Sequence, residues 1–209
     1  MPQITHIEFR RRKPQRFIVQ FNDDEVHTFS PETALKHGFV LEKEFSDEEF
    51  FEIIREDSIR RAKDQVLRYL EIRPHSRKEL TLKLLRKSYR KETIYAALAD
   101  LEKVDLINDE KFSRQFIENE LIMRPGSKKL LRSKLIQRGV AAEVFAPILD
   151  EIYEKQDEGR IALQIAQKFL KIQGRANSGK KREKLIRHLV NKGFDWDVID
   201  WIVKENDFR

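Results

Sequence analysis

The most suggestive spacing in the chain is Gly174-Arg175-Ala176-Asn177-Ser178-Gly179-Lys180-Lys181, whose two glycines and lysine match a phosphate-binding loop. Two features argue against nucleotide binding there. Lys181 stands where a Ser or Thr would ligate magnesium, and Ile161, Ile165, Phe169 and Ile172 ahead of it are spaced for a helix, whereas such a loop follows a buried strand. The segment reads as a basic connector. The five histidines, His6, His27, His37, His75 and His188, are scattered with no pair four apart, so no metal site is expected. Cysteine is absent, which excludes disulfides, thiolate metal sites and cysteine nucleophiles. Glu48-Glu49 and Asp109-Glu110 fall where helices begin, and there carboxylates complement the helix dipole. No constellation carries catalysis, and no cofactor is expected.

What remains distinctive is the basic side chains. Arg77, Lys78, Lys83, Arg86 and Lys87 form one set, Lys128, Lys129, Arg132, Lys134 and Arg138 a second, and Lys180, Lys181, Lys184, Arg187 and Lys192 a third. All sit on or just before equivalent helices, which predicts one basic stripe for phosphates or an acidic protein surface. Residues 1–58 hold 8 basic and 13 acidic side chains, and the remainder 34 and 23, so the positive field belongs to the later part. Such a field speeds encounters with polyanions without choosing among them. On duplex DNA, affinity falls by about 0.9 log units per log unit of salt for each phosphate neutralised. Against an acidic protein, salt acts mainly on the association rate.

The elements that carry these residues follow from pattern. With 40% hydrophobic and 37% charged residues in 209, and only 7 Gly and 6 Pro, the chain is expected to be soluble, elongated and mostly helical. No apolar run nears the roughly 20 residues of a membrane span, and Met1–Phe9 is too short and polar for a signal peptide. A reducing cytoplasm is expected. Ile7 and Phe9, then Phe17, Val19 and Phe21, then Val26–Phe29 after Asn22-Asp23-Asp24 predict a three-stranded antiparallel meander that needs a surface to pack on. Ser30-Pro31 opens a short helix that ends near His37-Gly38. Ser46-Asp47-Glu48-Glu49 and Ser76-Arg77-Lys78-Glu79 are capping boxes at two further helix starts.

Internal repetition organises the rest. Leu80 aligns with Leu131 and Leu185, Leu84 with Leu135 and Leu189, Ser88 with Gly139 and Gly193, and Tyr89 with Val140 and Phe194. After a one-residue insertion in the first copy, Ile94 aligns with Val144 and Val198, and Leu98 with Ile148 and Ile202. Helices around Ile59–Ile72, Asp109–Met123 and Gly159–Ile172 precede the three copies. The expected fold is therefore mainly α: three tandem three-helix repeats in an elongated array behind a small β meander. The expected division is 1–45 for the meander and short helix, 46–58 for an acidic linking helix, and 59–107, 108–156 and 157–209 for the repeats. The acidic stretch Asp47–Asp57 is a candidate cover for the basic array. In the final helix Phe194, Val198, Trp201 and Ile202 are expected to share a buried face, with Trp196 either capping a neighbouring unit or standing exposed as an anchor.

Four phrases carry a family resemblance. They are Arg73-Pro74-His75-Ser76-Arg77-Lys78-Glu79-Leu80, Leu106-Ile107-Asn108-Asp109-Glu110-Lys111-Phe112, Lys134-Leu135-Ile136-Gln137-Arg138-Gly139-Val140 and Leu189-Val190-Asn191-Lys192-Gly193-Phe194. Together, in order, they resemble the RecX family of regulators of the RecA recombinase, from about Ile59 to the end. The strand-rich start resembles an extension found on some Gram-positive members. Two positions depart from the pattern: Ser88-Tyr89 where the other copies have Gly, and Pro74-His75 where an Arg-rich turn is usual. The resemblance implies a non-catalytic, monomeric regulator that lies in the groove of a RecA filament on DNA and modulates its ATPase, coprotease and recombination activities. Single- or double-stranded DNA is a second expected partner, a membrane is not, and a direct DNA-binding protein built of tandem helical units is the alternative reading.

Overall fold

A computed structural model describes residues 1–12, 14–172 and 178–206, with ten helices and three strands among them. The chain divides into two compact units. The first comprises residues 1–74 with 80–107, and the second 75–79 with 108–209.

In the first unit, β1 (Ile4–Arg10), β2 (Arg16–Phe21) and β3 (Val26–Phe29) form an antiparallel sheet in the order β1-β2-β3. Ile7 faces Val19, and Phe17 faces Phe29, which fixes the alternation of buried side chains along β2. Asp24 takes a left-handed φ of 62° in the tight turn between β2 and β3. Helix α1 (Pro31–Lys36) is capped by Ser30, and α2 (Asp47–Leu70) by the full Ser46/Glu49 capping box.

The sheet packs on the start of α2. Phe21 meets Phe50 edge-on at 4.6 Å between centroids, and Ile4, Val19, Phe21, Phe29, Phe45 and Ile53 form one core. The 24-residue α2 runs without a break through the acidic stretch and on through most of the segment 59–72. Its Ala62 and Val66 enter a second core with Leu80 and Leu84 of α3 (Arg77–Leu85) and with Ile94, Ala97 and Leu98 of α4 (Lys91–Lys103). The acidic side chains of α2 are engaged locally: Glu56 pairs with Lys36, Glu52 with Arg55, and Asp47 with the N-terminal amine.

Between the two cores sits Asp57, a fully buried charge on the inner face of α2. Its Oδ1 accepts from the Ser30 backbone N–H at 2.8 Å and from the Thr33 hydroxyl at 2.9 Å, while Oδ2 lies 2.9 Å from Arg61 Nε. One carboxylate thus ties α1 to α2.

The second unit has a single core through α5 (Asp109–Met123), α6 (Lys128–Gln137), α7 (Ala142–Lys155), α8 (Glu158–Ile172), α9 (Ser178–Asn191) and α10 (Trp196–Glu205). The one-residue insertion expected in the first copy is not found. The third helices of the copies have N-caps at Arg90, Ala141 and Asp195, spaced like the leucines, so Ile94 answers to Phe145 and Ile199. On α10 the buried residues are Ile199, Ile202 and Val203; Trp201 is exposed, because burial follows the face that begins one residue later than expected. Trp196 is 67% exposed, which removes the capping role. The loop-like motif at 174–177 lies outside the described residues.

Asp57→Ala leaves two buried donors and Arg61 without their acceptor. Because Arg61 is one-third exposed, solvent recovers part of the loss, and a destabilisation of about 3 kcal/mol is expected in urea unfolding followed by circular dichroism. An unchanged midpoint would show that the carboxylate does not hold the first unit together.

Candidate interface on the repeated helices

The candidate site lies on helices whose placement depends on a repeated joint. Ser76 opens α3, and its Oγ donates to the Arg138 carbonyl at 2.6 Å, at the end of α6. The next backbone N–H, Arg77, donates to Asp109 Oδ1 at 2.8 Å, at the start of α5. One repeat later the arrangement recurs. The Ser127 N–H donates to the Lys192 carbonyl at 2.9 Å, and the Lys128 N–H donates to Glu158 Oε1 at 3.0 Å. At α3 and α6 the start of a middle helix therefore meets the carbonyl end of the next middle helix, through the Ser76 hydroxyl in one case and the Ser127 N–H in the other, and the following N–H finds a carboxylate from the next first helix.

Close approach at these joints demands special backbone. Gly139 and Gly193 have φ of 75° and 80°, and Ser88 takes the same left-handed turn at 61°, so the first copy keeps the geometry despite its side chain. A Cβ on Gly193 would stand 2.6 Å from Ser127 Oγ, and one on Gly139 would fall 1.8 Å from Lys78 Cδ.

The fourteen predicted basic residues, with Lys192, differ in what they touch. On α3, Lys83 holds its ammonium 4.2 Å over the Tyr69 ring, Arg77 is half-buried at the joint, and Lys78 is exposed. Arg86 and Lys87 follow the helix and are exposed. Around α6 most are neutralised. Lys128 pairs with Asp150 at 2.9 Å, Lys129 with Asp195 at 3.4 Å and Lys134 with Glu120, while Arg138 stacks 4.1 Å over Phe116 and approaches Glu79. Arg132 is exposed with no ion-pair partner among the described residues. On α9, Lys180, Lys184 and Arg187 share one exposed helical face, likewise without such a partner, and Lys181 is half-buried.

Burial holds the Lys192 ammonium below its ordinary range, and repulsion from Lys134, Arg124 and Lys168 adds to this, with Glu120 opposing. Next to it His188 stacks on Phe169 at 4.6 Å, and burial, with Lys192 adding repulsion, keeps its imidazole below the ordinary 6.5.

Sequence reasoning missed a second recurrent feature. Ile72, Met123 and Ile172, the last residues of the first helices or just past them, are 81%, 77% and 74% exposed. Leu85, Ile136 and Val190, at matching places on the middle helices, are exposed as well. A lone exposed apolar residue is ordinary, but the same exposure at equivalent places in three copies is a recurrent feature of the repeat. The signal was present in the aligned copies, where an apolar residue persists beyond the buried i, i+4 leucines.

Residues 62–101 match the family described as RecX, first three-helix domain, and residues 156–203 match RecX, third three-helix domain. Regulatory protein RecX of Clostridium perfringens (strain SM101 / Type A) is 32% identical over 208 residues, covering 98% of this chain and 96% of that protein. Regulatory protein RecX of Lactococcus lactis subsp. cremoris (strain MG1363) is 28% identical over 202 residues, covering 95% and 74%. A crystal structure of regulatory protein RecX superposes with a TM-score of 0.68 at 18% identity, over 97% of this chain and 98% of that one. The crystal structure of RecX from Lactobacillus salivarius superposes at 0.60 and 24% identity, over 73% and 99%. These two likenesses bear on the fold.

Two measurements test the joints. Gly193→Ala forces a left-handed Cβ against Ser127 and is expected to cost at least about 1–2 kcal/mol, read as a lowered tryptophan-fluorescence midpoint in urea. For His188 the folded chain resists a proton that the unfolded chain accepts. Its contribution is therefore present above pH 6.5 and lost as the pH falls through the lowered value. The midpoint is expected to drop as the pH falls below 6.5 by more in the wild type than in His188→Phe.

Proposed function

The chain belongs to the RecX family of regulatory proteins, and from that premise we propose that it is a non-catalytic regulator that binds the RecA–DNA filament and restrains its ATPase, coprotease and recombination activities. The protein acts in the cytoplasm, as a monomer laid along the filament, with 59–107, 108–156 and 157–209 as its three contacting repeats. The observation that carries this reading is recurrence. Exposed apolar side chains stand at the same place in each copy, Ile72, Met123 and Ile172, and a partner built of identical subunits offers a repeated surface to such a series. Cations without a local partner, Arg132 on α6 and Lys180, Lys184 and Arg187 on α9, supply attraction to an acidic or phosphate-bearing surface.

The test is DNA-dependent ATP hydrolysis by a RecA filament at fixed salt, with substoichiometric amounts of the full chain. Wild-type protein is expected to suppress turnover. The triple variant Arg132→Glu, Lys184→Glu, Arg187→Glu reverses charges that have no partner among the described residues, so it should fold normally and lose most of the suppression. Unchanged turnover in the presence of wild-type protein overturns the proposal. Equal suppression by the variant removes these cations from it.

A further inference from the structure

The first unit contains a cleft of about 920 Å³ that the repeat-based reading leaves unused. One wall is α2, which contributes Phe51, Ile54, Arg55 and Arg61; the opposite wall is the turn from α3 into α4, with Lys87, Tyr89 and Arg90. His27 of β3 closes one end, so the N-terminal sheet helps to shape it.

The chemistry of the lining is unusual in two respects. Four of its charged side chains are cations and one, Glu92, is an anion. Arg55 and Arg61 are paired with Glu52 and Asp57, whereas Lys87 and Arg90 are exposed with no ion-pair partner among the described residues. Phe51 on the lip is 64% exposed, more than Phe9 or Tyr95, the other exposed aromatics of this unit. Across from it Tyr89 is half-buried, close enough to Arg16, Arg61 and Arg68 to feel their charge. A tryptophan-free aromatic platform among cations suits flat, polyanionic ligands: base faces stack on the rings, and phosphates sit on the cations.

We infer that this cleft binds single-stranded nucleic acid, with bases stacked on Phe51 and Tyr89 and phosphates held by Lys87 and Arg90. Base faces are available to side chains in a single strand and not within a stacked duplex, so the site discriminates between the two. The inference is independent of filament binding. A chain that restrains the filament and binds no strand here would leave the proposed function standing.

The test uses the full chain and a fluorescein-labelled eight-nucleotide oligothymidylate, followed by anisotropy at several salt concentrations. Saturable binding is expected. Phe51→Ala, which removes an exposed side chain, should weaken it about tenfold. Lys87→Glu with Arg90→Glu should weaken it further and flatten the salt dependence by about 0.7 log units per log unit of salt for each phosphate no longer neutralised. Thermal melts of both variants should match the wild type. Three results overturn the inference: variants that bind like wild type, a duplex of the same length competing equally, or polyglutamate displacing the strand as well as unlabelled oligothymidylate does. The last would assign the cleft to an acidic protein segment.

Discussion

Everything in the second unit hangs on how a middle helix begins. The first turn of a helix leaves N–H groups without partners, and the last turn leaves carbonyls in the same state. Here the Ser127 N–H meets the Lys192 carbonyl directly, and at α3 the Ser76 hydroxyl donates to the Arg138 carbonyl in its place. The starts of α3 and α6 are answered by the ends of α6 and α9, and a carboxylate from the following first helix completes each joint. The contact is short, and it leaves no room for a Cβ at Gly193, which fixes the left-handed turn there.

Much of this is legible in the sequence. The meander, both capping boxes and the i, i+4 leucine pairs are local signals, and local signals survive folding when tertiary packing agrees with them. The joints are not legible, because Arg77 and Asp109 stand 32 residues apart and neither residue type announces the other. The phase of the third helices escapes the sequence for a related reason. Ile94 and Leu98 satisfy an i, i+4 pattern in either of two neighbouring alignments, and only the N-caps at Arg90 and Ala141 decide between them.

The candidate surface shows the same division. Counting lysines and arginines predicts a uniform stripe, yet Lys128, Lys129 and Lys134 are neutralised by Asp150, Asp195 and Glu120. The exposed pairs of Lys128 and Lys129 add little stability, but all three subtract from the field that a partner meets. The exposed cations of α9 keep theirs, forming no ion pair among the described residues. Sequence reports the inventory of charge; only packing reports which part of it is available.

One feature of the first unit governs how that unit comes apart. Helix α2 is shared without interruption between a sheet core around Ile53 and a helical core around Ala62 and Val66. Helical hydrogen bonds propagate order along their length, and fraying is confined to ends. The sheet therefore cannot melt as a separate domain while the helices behind it persist, because α2 would have to break at its middle, beside buried Asp57. The meander, which alone is too small to be stable, takes its cooperativity from the first repeat.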